Sequence, residues 1–282
     1  MKTVKNLHLG ISFELNTIMN KTILNISILT SMIFLKSLIV PIIAQTDNEY
    51  MDLLLLYVDE KYDVCYNKSF KYTEKEKTKK DPLPYLYVSM SSFEMSRDHK
   101  YTNTFPKAYK TAISFAAKYR KKDKDYKHKS DSEEFIDGFK LVIREEIENF
   151  LLEGTSATYG KAAGLTKKSC DMDPDDYGAK LLYALLSDLT KNKTAAKEYM
   201  KLCLPKLEQY AENKFSLKQM TKSQQIYLRY ALIEYGNYYK VKDPGKALEM
   251  LEYGKGLFYE KNEFSKIPYN TDYRNNYDSL TN

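Results

Sequence analysis

The chain has 282 residues, 43% of them hydrophobic and 29% charged, with a formal net charge of +6. Enough apolar surface is present to offset chain entropy, which excludes a wholly disordered protein. Only 10 Gly and 8 Pro are available for tight turns, which argues against a many-stranded sheet and for helices.

From Met19 the chain reads MNKTILNISILTSMIFLKSLIVPIIAQTDNEY, a short basic start, an apolar run, and a small residue at Ala44 before polar sequence. That order is similar to a bacterial export signal, so residues 1–44 are expected to be a signal peptide, cut between Ala44 and Gln45. Met19 is an alternative start, because residues 1–18 do not look like the n-region of a signal and carry Glu14. A retained anchor is the other reading; a spanning helix wants about 18 uninterrupted apolar residues, and Lys36 splits this run. The expectation is an exported protein, periplasmic or secreted from a bacterial envelope, with attachment to the membrane only through an uncleaved signal. Removing the segment takes away four lysines and one glutamate, so +6 falls to +3. That is too mild to indicate a nucleic-acid partner. Cys65, Cys170 and Cys203 are odd in number and widely spaced, which is not a disulfide framework.

Residues 45–261 then read as helical hairpins at 47–80, 82–122, 131–172, 174–213 and 216–261. Four segments open an apolar run alike: YDVC from Tyr62, FPKA from Phe105, YGKA from Tyr159 and PGKA from Pro244. A fifth, KTAAKEYMKLCL from Lys193, has the small residue without the aromatic. Taking Cys65, Ala108, Ala162, Ala196 and Ala247 as equivalent gives spacings of 43, 54, 34 and 51 residues. A small residue at a fixed point lets two helix backbones approach, and units repeated this way hide their apolar faces against one another. Pro205 inside KLCLPKLEQY is expected to kink or break its helix. The tail 262–282 shows little periodicity and is expected to be irregular, docked or frayed.

YGNYYKVKDPGKALEMLEYGKGL, from Tyr235, resembles a degenerate tetratricopeptide repeat, with Gly236 and Tyr239 on one helix and Ala247, Leu251 and Gly254 on the next. YGKAAGLTKKSCDMDP, from Tyr159, is similar to that repeat's second helix, with Ala162 at the close contact and Asp173 and Pro174 at its end. The 34 residues from Ala162 to Ala196 match the family's usual period, whereas the other spacings are longer. The resemblance implies an all-α solenoid of about five antiparallel helix pairs, a protein partner, and a concave groove lined by first helices. In the last repeat that groove would include Tyr230, Asn237 and Lys240.

No motif adds chemistry to this frame. A phosphate loop needs four residues between Gly and the Gly-Lys pair, followed by Ser or Thr; Gly154 and Gly160 enclose five, and Ala162 follows Lys161. Asp171, Asp173, Asp175 and Asp176 begin like a calcium loop, but its sixth and twelfth positions hold Asp176 and Leu182, so a helix junction with N-terminal acids is expected instead. His99 and His128 lack paired ligands. The basic run KYRKKDKDYKHK from Lys118 reads as a solvated loop between hairpins, or, more sharply, as an anionic surface's partner. Glu133 with Glu134, and Glu145 with Glu146, read as solvent-facing pairs. The expectation is a non-catalytic protein-binding or scaffolding module needing no metal or cofactor. The alternative is a carbohydrate or small-ligand binder that uses some of the 26 Tyr to line a groove.

Overall fold

The structure is a computed structural model that describes residues 50–212, 214–259 and 270–281. The expected signal peptide and its cleavage point lie outside these residues. Asp52–Asn282 forms one compact unit, and the account below concerns its described residues.

Among the described residues every regular element is helical. The α-helices are α1 (Met51–Val58), α2 (Tyr62–Glu74), α3 (Leu83–Ser96), α4 (Ala108–Lys122), α5 (Lys129–Glu153), α6 (Ser156–Met172), α7 (Tyr177–Leu189), α8 (Lys193–Ala211), α9 (Lys222–Tyr239), α10 (Pro244–Glu252) and α11 (Asn270–Thr281). None is long and apolar enough to cross a membrane. Neighbours in sequence pack as pairs: α3 with α4, α5 with α6, α7 with α8, and α9 with α10. This is the helical-hairpin architecture expected from the repeated segments, and the small residues behave accordingly. Cys65, Ala162 and Ala247 are fully buried and Ala108 nearly so, while Ala196, in the segment without the aromatic, is only half-buried.

Local chemistry sets the helix ends. Gly154 closes α5 in the left-handed conformation, at φ 67°, where a Cβ would be strained. Thr155 then opens α6 with a reciprocal cap to Thr158. Asp176, Asn192, Thr221 and Asp243 each accept a backbone N–H at the start of α7, α8, α9 and α10. Gly160 and Lys161 are therefore exposed residues within α6, with Ala162 packed beneath them. The stretch that looked like a phosphate loop is a capped helix.

Two expectations are corrected. Pro205 does not break its helix, since α8 runs through it from Lys193 to Ala211. Packing of Cys203, Leu207 and Tyr210 into the core holds both halves in place. Within the tail, Asn270–Thr281 is docked and regular: α11 buries Tyr273 and Tyr277, and the Tyr273 hydroxyl donates to the carbonyl of Leu251. Period-3.6 spacing of two tyrosines in an otherwise polar segment supplies just enough apolar surface for a single docked helix.

The hairpins do more than stack in order. α6 packs on α7, α7 on α9, and α9 returns to α5, so α5, α6, α7 and α9 close a ring of four helices. Gly178 makes that ring possible. A Cβ there would lie 2.1 Å from the backbone nitrogen of Leu228 on α9.

Candidate functional site

The ring encloses charge. Lys140 lies on the buried stripe of α5 with Ile136, Ile143 and Ile147, and its side chain is fully buried. Its Nζ sits 2.5 Å from Asp173 Oδ2 and 2.7 Å from Asp176 Oδ2, on either side of the α6–α7 junction. Gln224 Nε2 of α9 donates to the same Asp173 oxygen at 3.0 Å. Tyr227, also of α9 and fully buried, shares a 2.9 Å hydrogen bond with Ser169 of α6 and donates to the Lys140 carbonyl at 3.4 Å. One lysine thus ties four helices through polar groups that would be costly if left alone.

Burial opposes the Lys140 ammonium, but Asp176 and Asp173 outweigh it and hold the pKa above the ordinary lysine value. Burial likewise opposes ionisation of Asp173, yet Lys140 and the bonds from Gln224 and the Asp175 N–H keep its carboxyl below the usual range. Asp176 differs. Burial, reinforced by the Asp173 charge, exceeds what Lys140 returns, and pushes it up to about 6.

This gives a pH prediction. A carboxyl whose folded pKa exceeds its unfolded value makes the folded state bind the extra proton between the two, so its contribution to stability falls as pH rises from about 4 through 6. Asp176→Asn keeps the helix cap, since asparagine caps as well as aspartate, and removes that titration. The unfolding free energy of the variant relative to the parent should therefore rise by roughly 2 kcal/mol between pH 4 and pH 7. Urea titrations across that range check it; a pH-independent difference would contradict the assignment.

Beside the cluster opens a pocket of about 330 Å³. The end of α4 supplies Arg120, the α4–α5 connection Tyr126, and the first turns of α5 Lys129, Glu133 and Asp137. The α6–α7 junction adds Asp173, Asp175, Asp176 and Tyr177. Lys206 and Tyr210 of α8, with Phe215 and Gln219 after it, complete the wall. Arg120 is 4% exposed, and its Nε donates to the Met172 carbonyl at 3.1 Å. Its Nη1 has no hydrogen-bond partner; the nearest carboxylate is Asp123 Oδ2 at 3.6 Å. Glu133 Oε2 is also buried without a hydrogen-bond partner, with Lys129 Nζ 3.7 Å away. Burial raises the Glu133 carboxyl above its ordinary value, while Lys129 and Arg120 act in the opposite direction.

The site differs from the one the sequence suggested. Tyr230 of α9 is buried, with the Arg144 guanidinium 5.4 Å from its ring. Asn237 is exposed, and Lys240 donates to Ser279 of α11 at 2.9 Å. None of the three lines the pocket. The aspartates of the α6–α7 junction do cap and close helices as expected, but they also hold Lys140. Asp171 pairs instead with Lys167, and Asp175 accepts from Tyr126 at 2.9 Å, so the four acids do not converge as a calcium loop would. Among the described residues no cluster of His, Cys, Asp and Glu could hold a metal. The basic run is not simply a solvated loop, because Tyr119, Arg120 and Asp123 within it are buried. Glu133 lines the pocket and is only partly exposed, whereas Glu134 and Glu145 are exposed. One signal did mark the missed site: Lys140 falls on the apolar stripe of α5, where a lysine needs a partner.

No family model, curated protein or solved structure matches the chain.

Proposed function

We propose that the chain is a binding protein built from helical hairpins, with the pocket at the α6–α7 junction as its ligand site. The observation that carries this is a 330 Å³ cavity whose wall gathers Arg120, Lys129 and Lys206 with Glu133, Asp137 and Asp175. The volume is at the small end of the range for ligand sites. Export is part of the proposal and is supported by the order of residues 19–44. The tetratricopeptide likeness is supported by Gly236, whose Cβ would meet Leu251 at 3.3 Å across the α9–α10 hairpin, and by buried Ala247. The protein-docking role that this likeness implies rests on fold alone, whereas the pocket supplies specific chemistry for a small ligand.

A thermal-shift screen of the full chain against small polar metabolites tests this. A ligand at about 100 times its Kd adds about 2.7 kcal/mol, roughly 5–10 °C for a domain of this size. The shift should shrink in Lys206→Glu and Phe215→Ala, which alter the wall at half-buried positions. Shifts that ignore both variants, or none from any metabolite class, would overturn the proposal.

A further inference from the structure

Basic residues are unevenly placed along the chain. Residues 74–81 and 118–129 together hold eleven basic and five acidic residues, a net +6, whereas the rest of residues 45–282 sums to −3. The two segments meet in space, because Lys122 Nζ and the Tyr85 hydroxyl both donate to the Lys79 carbonyl, at 2.6 and 2.9 Å. Residues 118–129 are also pinned from within. The buried Tyr119 hydroxyl lies 3.0 Å from both Asp123 Oδ2 and the His128 carbonyl, and Asp123 accepts the His128 N–H at 3.3 Å. Lys79 and Lys129 pair with Glu76 and Glu133. Lys77, Lys80, Lys121, Lys124 and Lys127 stand exposed, and among the described residues none of them forms an ion pair. An ordered array of unpaired like charges repels itself, and an anionic partner would relieve that repulsion.

The chemistry of this face narrows the partner. Its exposed cations are lysines; Arg120 is buried and gives its Nε to the Met172 carbonyl. Lysine is a point charge without a planar fork, so the face answers to charge density rather than to one phosphorylated residue or a base edge. Its rings are covered: Lys122 lies 4.5 Å from the centre of the buried Tyr85 ring and the Arg120 guanidinium 4.4 Å from that of Tyr126, which leaves no platform for stacked bases. No exposed large apolar side chain belongs to either segment, so the buried anchor that a protein interface needs is missing. An extended acidic surface met by charge alone fits what is left. The order of residues 19–44 brings the chain to a membrane whether that segment is cut or kept, and lysine clusters of this size bind acidic lipid headgroups.

We propose that the joined segments 74–81 and 118–129 form a docking face for an anionic lipid bilayer, next to the pocket and held by lysine–headgroup attraction without insertion.

Flotation of the full chain with vesicles of phosphatidylcholine, alone or with about one-third phosphatidylglycerol, tests this. Binding at low salt should favour the acidic vesicles at least tenfold, and the preference should vanish towards 1 M salt, where the screening length falls to about 3 Å. A lysine near such a surface contributes about fivefold, so Lys124→Gln should weaken binding to acidic vesicles by about that factor. Changing all five exposed lysines to glutamine should abolish the preference and leave the melting temperature unchanged, because none has a partner to lose. Comparing the two vesicle types cancels any attachment through the apolar residues 19–44, which neutral lipid would share. Lys197→Gln with Lys201→Gln is the control, since both are exposed on α8 and their loss should leave the preference nearly intact. Equal binding to both vesicle types would overturn the proposal, as would a loss in the control as large as that in Lys121→Gln with Lys124→Gln. Binding of double-stranded DNA that the five-lysine variant abolishes, with no preference between vesicles, would overturn it too and give the face to a nucleic acid.

Discussion

Replacing Lys140 by methionine should destabilise the folded protein by about 3–5 kcal/mol, the usual cost of removing one partner from a buried ion pair. Methionine matches the lysine stem in length and apolar character, so lost packing contributes little and lost charge dominates. Asp173 and Asp176, at 13% and 0% side-chain exposure, would then share a dry site without a cation. These two residues end α6 and start α7, so their repulsion would act directly on the helix junction and the pocket wall. Urea denaturation at pH 7 measures the effect. Adding Asp173→Asn and Asp176→Asn should restore a large part of the loss, because removing the whole charged set leaves no uncompensated charge. A change below about 1 kcal/mol in the single variant would show that Lys140 does not hold the ring. Because its folded pKa is raised, its contribution is present in full below the ordinary lysine range and is lost only in strong alkali.

Gly178→Ala should cost about 3 kcal/mol through overpacking, despite alanine's advantage of up to ~1 kcal/mol within a helix. The added Cβ would approach Leu228 N to 2.1 Å and both Leu228 Cα and the Tyr227 carbonyl carbon to 2.5 Å. These are backbone atoms, so no side chain can rotate away; α9 would have to move. That motion would displace Tyr227 from Ser169 and widen the pocket, which both Gly178 and Leu228 line. Gly138→Ala is the control. It lies within α5 with nothing within 4 Å of a Cβ, so helix propensity alone should make it neutral or slightly stabilising. Thermal unfolding of the pair would separate them, and a Gly178→Ala variant as stable as the parent would mean that α7 and α9 are not in backbone contact.

The helices and their ends were legible from sequence because their causes are local. Asp173 with Pro174 acts through groups within a few residues of itself, and the small residues at positions 65, 108, 162 and 247 recur at the start of apolar runs. The α11 helix escaped notice because its fold depends on what it docks against: Tyr273 is buried by the α10 region, not by its own neighbours. The same limit hid the site. Lys140 and Asp173 are 33 residues apart, and Gln224 lies 51 beyond Asp173. Read singly, Asp173 and Gln224 are ordinary surface types, and only Lys140, on an apolar stripe, stands out.

Sequence by itself determined the helical class, the hairpin units and the junction at Asp173 and Pro174, since propensity and periodicity are short-range interactions. The tertiary structure alone decided that α9 closes a ring onto α5, that a lysine rather than an apolar side chain sits at its centre, and that Arg120 and Glu133 line one cavity. Charges find partners by distance in space, and in a chain of hairpins that distance is set by how the helices cross.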